Sequence, residues 1–223
     1  MIIDGTTIDV SGEILVGLEN ISGLAYSTAD AILNKNGNTP GTNPPVLYAI
    51  SRLVSEGKVK SVLELGSGMS TLYLSQLNKK FGLKYISVED ELRWFTLNKN
   101  VLLSSESKST DNLIHRDTLS VFNSEYRKNI DPDLIFIDSG EHRKQAFILC
   151  LTYWPSSIIM VDDCEQPYRE NSYQTLLADM HKTQARVFLS HTRGVLTFDP
   201  NNKIDFIQWR DQEDYINKYL RGE

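Results

Sequence analysis

The stretch VLELGSGMST, residues 62–71, carries an apolar run with one acid, Glu64, into Gly66-Ser67-Gly68 and then into the hydroxyls of Ser70 and Thr71. A strand that ends in such a turn and flows into a helix presents backbone N–H groups to an anionic or nucleotide-like ligand. Further along, four more apolar runs end in acids: Glu89-Asp90, Arg116-Asp117, Asp138 and Asp162-Asp163. Taken singly, each acid is explained as a helix cap or a turn residue. Their recurrence after successive runs favours a shared site. His142 follows Asp138 closely, and an imidazole with an ordinary pKa of about 6.5 is suited to take a proton near neutral pH. Asp138, Asp162 and Asp163 instead offer the hard oxygen ligands that Mg²⁺ prefers, and a bound cation would acidify a coordinated hydroxyl. A base, a metal site and purely structural caps are all compatible with these residues.

The elements that must position them follow from the hydrophobic pattern. Residues 61–65, 84–88, 112–115, 133–137 and 157–161 are short apolar strand candidates. Helical spacing is expected over 45–57, 71–80, 92–103 and 141–153, between the strands. Apolar strands alternating with helices predict an α/β domain with a doubly wound, mostly parallel sheet covered on both faces. In such a sheet ligands bind beyond the carboxyl ends of the strands, where the glycines and acids fall. Neighbouring strand ends lie about 5 Å apart, so carboxylates from two of them can converge. A helix around 172–184, a closing antiparallel hairpin made by ARVFLSH and GVLTF, and a final amphipathic helix in DQEDYINKYL complete the pattern. The segment NKNGNTPGTNPP at 34–45 divides a small amino-terminal cap, residues 1–44, from the main domain, residues 45–223. The cap contains an Asp-Gly turn between β-prone runs.

Composition limits the partners. With 223 residues, 40% hydrophobic and 23% charged, the chain reads as one large soluble globular domain with its extension. A formal charge of −6 argues against a broad phosphate-binding face, hence against nucleic acid. No apolar run reaches bilayer-spanning length and the amino terminus does not read as a secretory signal, so a cytoplasmic protein without membrane partners is expected. Cys150 and Cys164 lack C-x-x-C spacing and suggest neither a disulfide framework nor a zinc site. His115 sits in an apolar strand pattern and reads as structural. A homo-oligomer built through the amino-terminal segment remains open.

Together, VLELGSGMST, ISVED, DLIFIDSGEHR and IIMVDD resemble the successive motifs of class I S-adenosylmethionine (SAM)-dependent methyltransferases, over about residues 45–200. Within that group the GSGMST loop and the Asp138–His142 segment resemble small-molecule enzymes of bacterial type. The resemblance implies a Rossmann-like methyltransferase fold with seven strands, and SAM as cofactor. It places Glu64 near the cofactor amine and Gly66, Ser67 and Gly68 along its path. Ser70 or Thr71 would hold the methionine carboxylate, and Glu89 the ribose hydroxyls with Asp90 as competitor. Asp117 would accept from the adenine amino group, although a helix cap serves equally well there. The acids after the fourth and fifth strands are similar to those of cation-dependent O-methyltransferases. One departure is WPSS at 154–157, where the family commonly has a Pro-Gly-Gly turn. The implied activity is methyl transfer to a small-molecule acceptor, at a hydroxyl oxygen, with Asp138 and His142 as catalytic candidates. A nicotinamide-dependent oxidoreductase is a poor second, because Thr71 stands in place of the third glycine of G-x-G-x-x-G. A binding or scaffolding protein that keeps the pocket without turnover is a third reading. The EQPYR segment after Asp163, with Arg169 as an anion contact, is a candidate substrate wall.

Overall fold

A computed structural model describes residues 2–3, 6–7, 44–104, 110–140, 142–164, 186–189 and 195–204. Strands β1 (Ile2–Ile3) and β2 (Thr6–Thr7) form a short antiparallel pair flanking the Asp-Gly dipeptide. Helix α1 (Pro44–Ser55) starts on a proline pair, where a missing N–H is harmless. Then follow β3 (Ser61–Leu65), α2 (Met69–Phe81), β4 (Lys84–Glu89), α3 (Leu92–Ser104) and β5 (Leu113–His115). A 3-10 turn (Thr118–Phe122) and the short α4 (Ser124–Arg127) lead to β6 (Leu134–Ile137), α5 (Arg143–Tyr153), β7 (Ile158–Val161), β8 (Arg186–Leu189) and β9 (Leu196–Asp199). The expected helices at 172–184 and 211–220 lie outside the described residues, as do EQPYR and most of residues 1–44.

The main sheet runs β5-β4-β3-β6-β7-β9-β8. Strands β3 to β7 are mutually parallel, and β9 and β8 close the sheet as an antiparallel pair beside β7. The chain winds outward from β3 through β4 to β5, then crosses back to β6 on the other side of β3. Strand β3 is therefore the topological switch point, and the crevice above its carboxyl end is the ligand position such a sheet provides.

Successive side chains in a strand point to opposite faces, so every central strand must be apolar on both. On one face Val62, Tyr85, Leu134, Phe136, Ile158 and Met160 pack with Val46, Ile50 and Leu53 of α1 and with Tyr73, Leu74 and Leu77 of α2. On the other, Leu63, Leu65, Ile135, Ile137, Ile159 and Val161 pack with Phe147 and Cys150 of α5 and with Trp154. At about 1.5–3 kcal/mol for each fully buried large side chain, this two-sided core dominates the stability of the domain. Cys150 and Cys164 are buried thiols; that of Cys164 donates to Val161 O at 3.3 Å, and burial pushes that of Cys150 well up.

At the opposite end of the sheet from the acids, Asp133 Oδ2 accepts from the backbone N of Lys60 (2.8 Å) and Ser61 (3.1 Å), which levels β3 with β6. The WPSS turn closes without glycine. Ser157 N donates to Trp154 O at 3.0 Å and Trp154 has φ −132°, so no left-handed residue is needed. Two helix starts differ from the expected ones. Helix α2 begins at Met69 because Gly68 serves as its cap, with Gly68 N donating to Thr71 Oγ1 at 3.1 Å. Helix α5 begins at Arg143 because His142 takes a left-handed conformation (φ 64°) that cannot continue a helix.

Candidate functional site

The loops that leave the strands start at fixed heights because the sheet ladder runs one residue beyond each strand. Gly66 N donates to Val88 O (2.8 Å), Asp138 N to Leu65 O (2.8 Å), Asp162 N to Ile137 O (3.0 Å) and Arg116 N to Glu89 O (2.8 Å). Gly66 is required where it stands. Its φ is +94°, and a Cβ there would lie 2.5 Å from the backbone C and O of Asp138 and from Ser139 N. Gly68 is different: its φ of −170° is extended backbone, and a Cβ would meet nothing within 4 Å. Its use is to leave space above the start of α2.

Glu64 is the central group. It is fully buried, opposite Ser87 of β4 in the strand register, and Oε2 accepts from Thr71 Oγ1 at 2.6 Å and from Ser87 Oγ. Its Oε1 is buried with no hydrogen-bond partner among the described residues. Desolvation lifts the carboxyl to about 7, while the nearby hydroxyls of Ser70, Ser87 and Thr71 pull it down and the charge of Glu89 adds to the rise. Ser70 Oγ, 1% exposed at the residue level, is close enough to lower that pKa but makes no hydrogen bond of good geometry among the described residues. A buried carboxylate oxygen and a buried hydroxyl left open beside a glycine turn are what a polar ligand would complete.

Glu89 faces the same loop from β4. Its Oε2 accepts from Ser67 N and Ser67 Oγ, both at 2.8 Å, and its Oε1 from Glu91 N at 2.9 Å. Asn98 of α3 reaches over to donate to Ser67 Oγ at 2.9 Å. Burial raises the Glu89 carboxyl, and these donors offset part of the rise. A carboxylate has about four lone-pair directions, so three protein donors leave room for a further one. Of the two hydroxyls expected for the ligand carboxylate, Ser70 or Thr71, that of Thr71 is engaged within the loop. It donates to Glu64 and accepts from Gly68 N, so it is not held out for a ligand carboxylate. The hydroxyl of Ser67 is likewise engaged with Glu89 and Asn98.

Asp90 and Asp117 stand at the rim. Asp90 Oδ2 accepts from Thr118 Oγ1 at 3.2 Å, and Asp117 Oδ1 accepts from Leu119 N at 2.8 Å as the cap of the 3-10 turn. The cap is the structural alternative that the sequence already offered for Asp117. His115 stacks on Phe95 with ring centroids 5.0 Å apart, in keeping with a structural role.

The acids after β6 and β7 do converge, but around an arginine. The Arg143 side chain is only 9% exposed, and its guanidinium pairs with Asp138 Oδ1 at 2.9 Å and Asp163 Oδ2 at 3.0 Å. It also donates to the carbonyl oxygens of Ser139, of Asp162 (2.8 Å) and of Asp138 (3.4 Å). Among the described residues no group of three or more His, Cys, Asp or Glu side chains is arranged to hold a metal ion. Of the expected Asp138, Asp162 and Asp163 metal set, the carboxylates of Asp138 and Asp163 thus pair with Arg143, whereas Asp162 meets it only through its backbone carbonyl. Mg²⁺ does not fit between Asp138 and Asp163, because those two carboxylates already have a cation between them. Asp138 keeps 23% of its side chain exposed, and its carboxyl is nevertheless lifted to about 7, chiefly by desolvation and against the pull of Arg143. Asp162, 1% exposed, is pushed well up by burial and by Asp138 and Asp163, and its Oδ1 has no partner among the described residues. His142 is exposed at the N-cap of α5, where its side chain makes no cap hydrogen bond.

Arg143, Ser87 and Asn98 belong to this site and were missed by sequence reasoning. The signal for Arg143 was an imbalance: three acids gathered at adjacent strand ends require a counter-charge, and an arginine stands five residues past Asp138. Asn98 carried no such signal.

Sheet order, switch-point crevice and glycine turn together define a doubly wound α/β fold closed by an antiparallel strand pair. No family model and no curated protein matches the sequence, whereas solved structures match its fold. A Staphylococcus aureus protein assigned as a caffeoyl-CoA O-methyltransferase superposes with a TM-score of 0.63 at 16% identity, over 85% of this chain and 98% of that one. The O-methyltransferase TomG of Streptomyces achromogenes, solved with SAM and involved in tomaymycin synthesis, gives 0.61 at 13% identity, over 83% and 94%. An O-methyltransferase of Bacillus cereus, solved with S-adenosylhomocysteine (SAH), gives 0.56 at 16% identity, over 80% and 88%. Among the described residues no helix is long and apolar enough to cross a membrane.

Proposed function

We propose that this protein is an enzyme transferring a methyl group from SAM to a hydroxyl oxygen of a small molecule. The observation that carries the reading is Glu64, a buried carboxylate with one open oxygen at the switch point of a methyltransferase sheet. SAM supplies an electrophilic methyl group on a positively charged sulfur. Glu64 would accept from its amine, Ser70 and the N–H groups at the start of α2 would receive its carboxylate, and Glu89 would take the ribose hydroxyls. The structural relatives with bound SAM and SAH support this cofactor.

The chain's own contribution to the chemistry is alignment and removal of the acceptor's proton. Asp138 is the better placed base. It opens the loop directly beside Gly66, Arg143 fixes one of its oxygens, and its raised pKa suits proton transfer near neutrality. His142, exposed and four residues on, is the second candidate base. The acidic chain favours a small molecule over nucleic acid as partner.

Titration calorimetry tests the cofactor assignment. SAM and SAH are expected to bind and NAD to give no heat; binding of NAD alone would overturn the reading. Once an acceptor is found, Asp138→Asn should lower turnover by about 10²–10⁴-fold while leaving SAM affinity nearly unchanged. His142→Gly, which suits the left-handed backbone, should fold and stay within about tenfold of the wild-type rate. The opposite ranking of the two variants assigns the base to His142.

A further inference from the structure

The carboxyl ends of β6 and β7 bring Asp138, Asp162 and Asp163 together, and three acids in a partly buried crevice need positive charge among them. Arg143 supplies it from the first turn of α5. Its side chain reaches both strand ends at once: Nη2 meets the Asp138 carboxylate at 2.9 Å, and Nη1 meets the Asp163 carboxylate at 3.0 Å and the Asp162 carbonyl at 2.8 Å. Nε donates to the Ser139 carbonyl, and Nη2 reaches the Asp138 carbonyl as well. All three guanidinium nitrogens are therefore engaged, in the planar fork that matches carboxylate geometry.

We propose that the Arg143 guanidinium is the resident cation of this site, standing where a divalent ion would otherwise bridge the β6 and β7 acids, so that the site is built to work without metal. The backbone on either side of the fork supports this. His142, immediately before Arg143, and Asp163, at the end of the fork, both hold left-handed conformations, with φ 64° and 55°. Non-glycine residues adopt these only at a cost, so surrounding contacts must hold them. The fork ties together Asp138, Ser139, Asp162 and Asp163 within one plane of donors and so fixes both turns. Arg143 is accordingly a positioning residue, acting on the acceptor side through Asp138. The inference rests on the methyl-transfer reading only for its consequence in turnover.

The test is binding of Mn²⁺, followed by electron paramagnetic resonance, to wild type and to Arg143→Ala. Wild type is expected to leave millimolar Mn²⁺ free, and Arg143→Ala to bind it at least tenfold more tightly through the released acids. A merely structural arginine would produce no such gain of binding. Wild-type Mn²⁺ binding that disappears in Asp163→Asn overturns the proposal, as does a folded Arg143→Ala that gains none. Should Arg143→Ala fail to fold, thermal melts of wild type in Mg²⁺ and in EDTA decide. Equal midpoints are expected, and a Mg²⁺-dependent rise lost in Asp163→Asn overturns the idea. SAM calorimetry on the same samples separates the two claims, because absent SAM binding sinks the methyl-transfer reading whatever Mn²⁺ does.

Discussion

Glu64→Gln gains stability relative to wild type as pH rises from about 4.5 to about 8, and loses affinity for SAM at the same time. The sign follows from linkage. Glu64 has a pKa of about 7 in the fold against 4.5 when unfolded, so the native state holds its proton more tightly. Its contribution is fully present below pH 4.5 and is lost as pH rises through about 7, by a total of about 3 kcal/mol. Glutamine does not ionise and escapes that loss, while its side-chain oxygen still accepts from Thr71 and Ser87. Urea denaturation of both proteins at pH 4.5 and pH 8 measures the difference, and parallel pH profiles would place the raised pKa elsewhere.

The same carboxyl must be ionised to meet a cationic amine. SAM binding at pH 6 is therefore expected to release a proton, detectable as a dependence of the calorimetric heat on buffer ionisation enthalpy. Affinity should strengthen up to about pH 7 and then level off. In Glu64→Gln the proton release disappears and binding weakens by about 1.5–3 kcal/mol, roughly 10- to 100-fold. The gain in stability against the loss in binding is the trade expected where a strained group is kept for function.

Gly66→Ala has the larger structural effect. Three backbone atoms stand 2.5 Å from the position of the new Cβ, and backbone cannot swing aside as a flexible side chain can. The φ of +94° adds its own penalty. A destabilisation of more than about 4 kcal/mol is expected, which is most of the margin of an ordinary domain. Gly68→Ala is the control: extended backbone and open space predict a change within about 1 kcal/mol, with the effect falling on SAM binding instead. Equal destabilisation by the two substitutions, read from denaturant midpoints, would show that the close approach of Gly66 to Asp138 is not what holds the loop.

These two glycines show what sequence could and could not disclose. The parallel sheet was legible because strands buried on both faces must be apolar throughout, and SVLEL, DLIFI and SIIMV leave little else for those residues to be. Glu64 was legible because it breaks one of those runs. The division of labour within the loop was not. Nothing in GSGMST says that Thr71 turns back onto Glu64 while Ser70 stays open, because that depends on which hydroxyl the helix start aims inward. Arg143 escaped for a related reason. A charged residue at a helix start reads as solvated, and its partners Asp162 and Asp163 are nearly twenty residues away. Three acids at strand ends suggested a metal to the eye, and only folding reveals that the chain carries its own counter-ion.

The ladder bonds that continue past Leu65, Ile137 and Glu89 have a bearing on how such a protein changes over generations. They set the height of the turns that carry Gly66, Asp138 and Asp162 from within the sheet. Substitutions at the rim, at Asp117 for example, can then accumulate without moving Glu64, Gly66 or Glu89. On the methyl-transfer reading, acceptor preference is free to drift between descendants of one scaffold while the half that holds the methyl donor is kept.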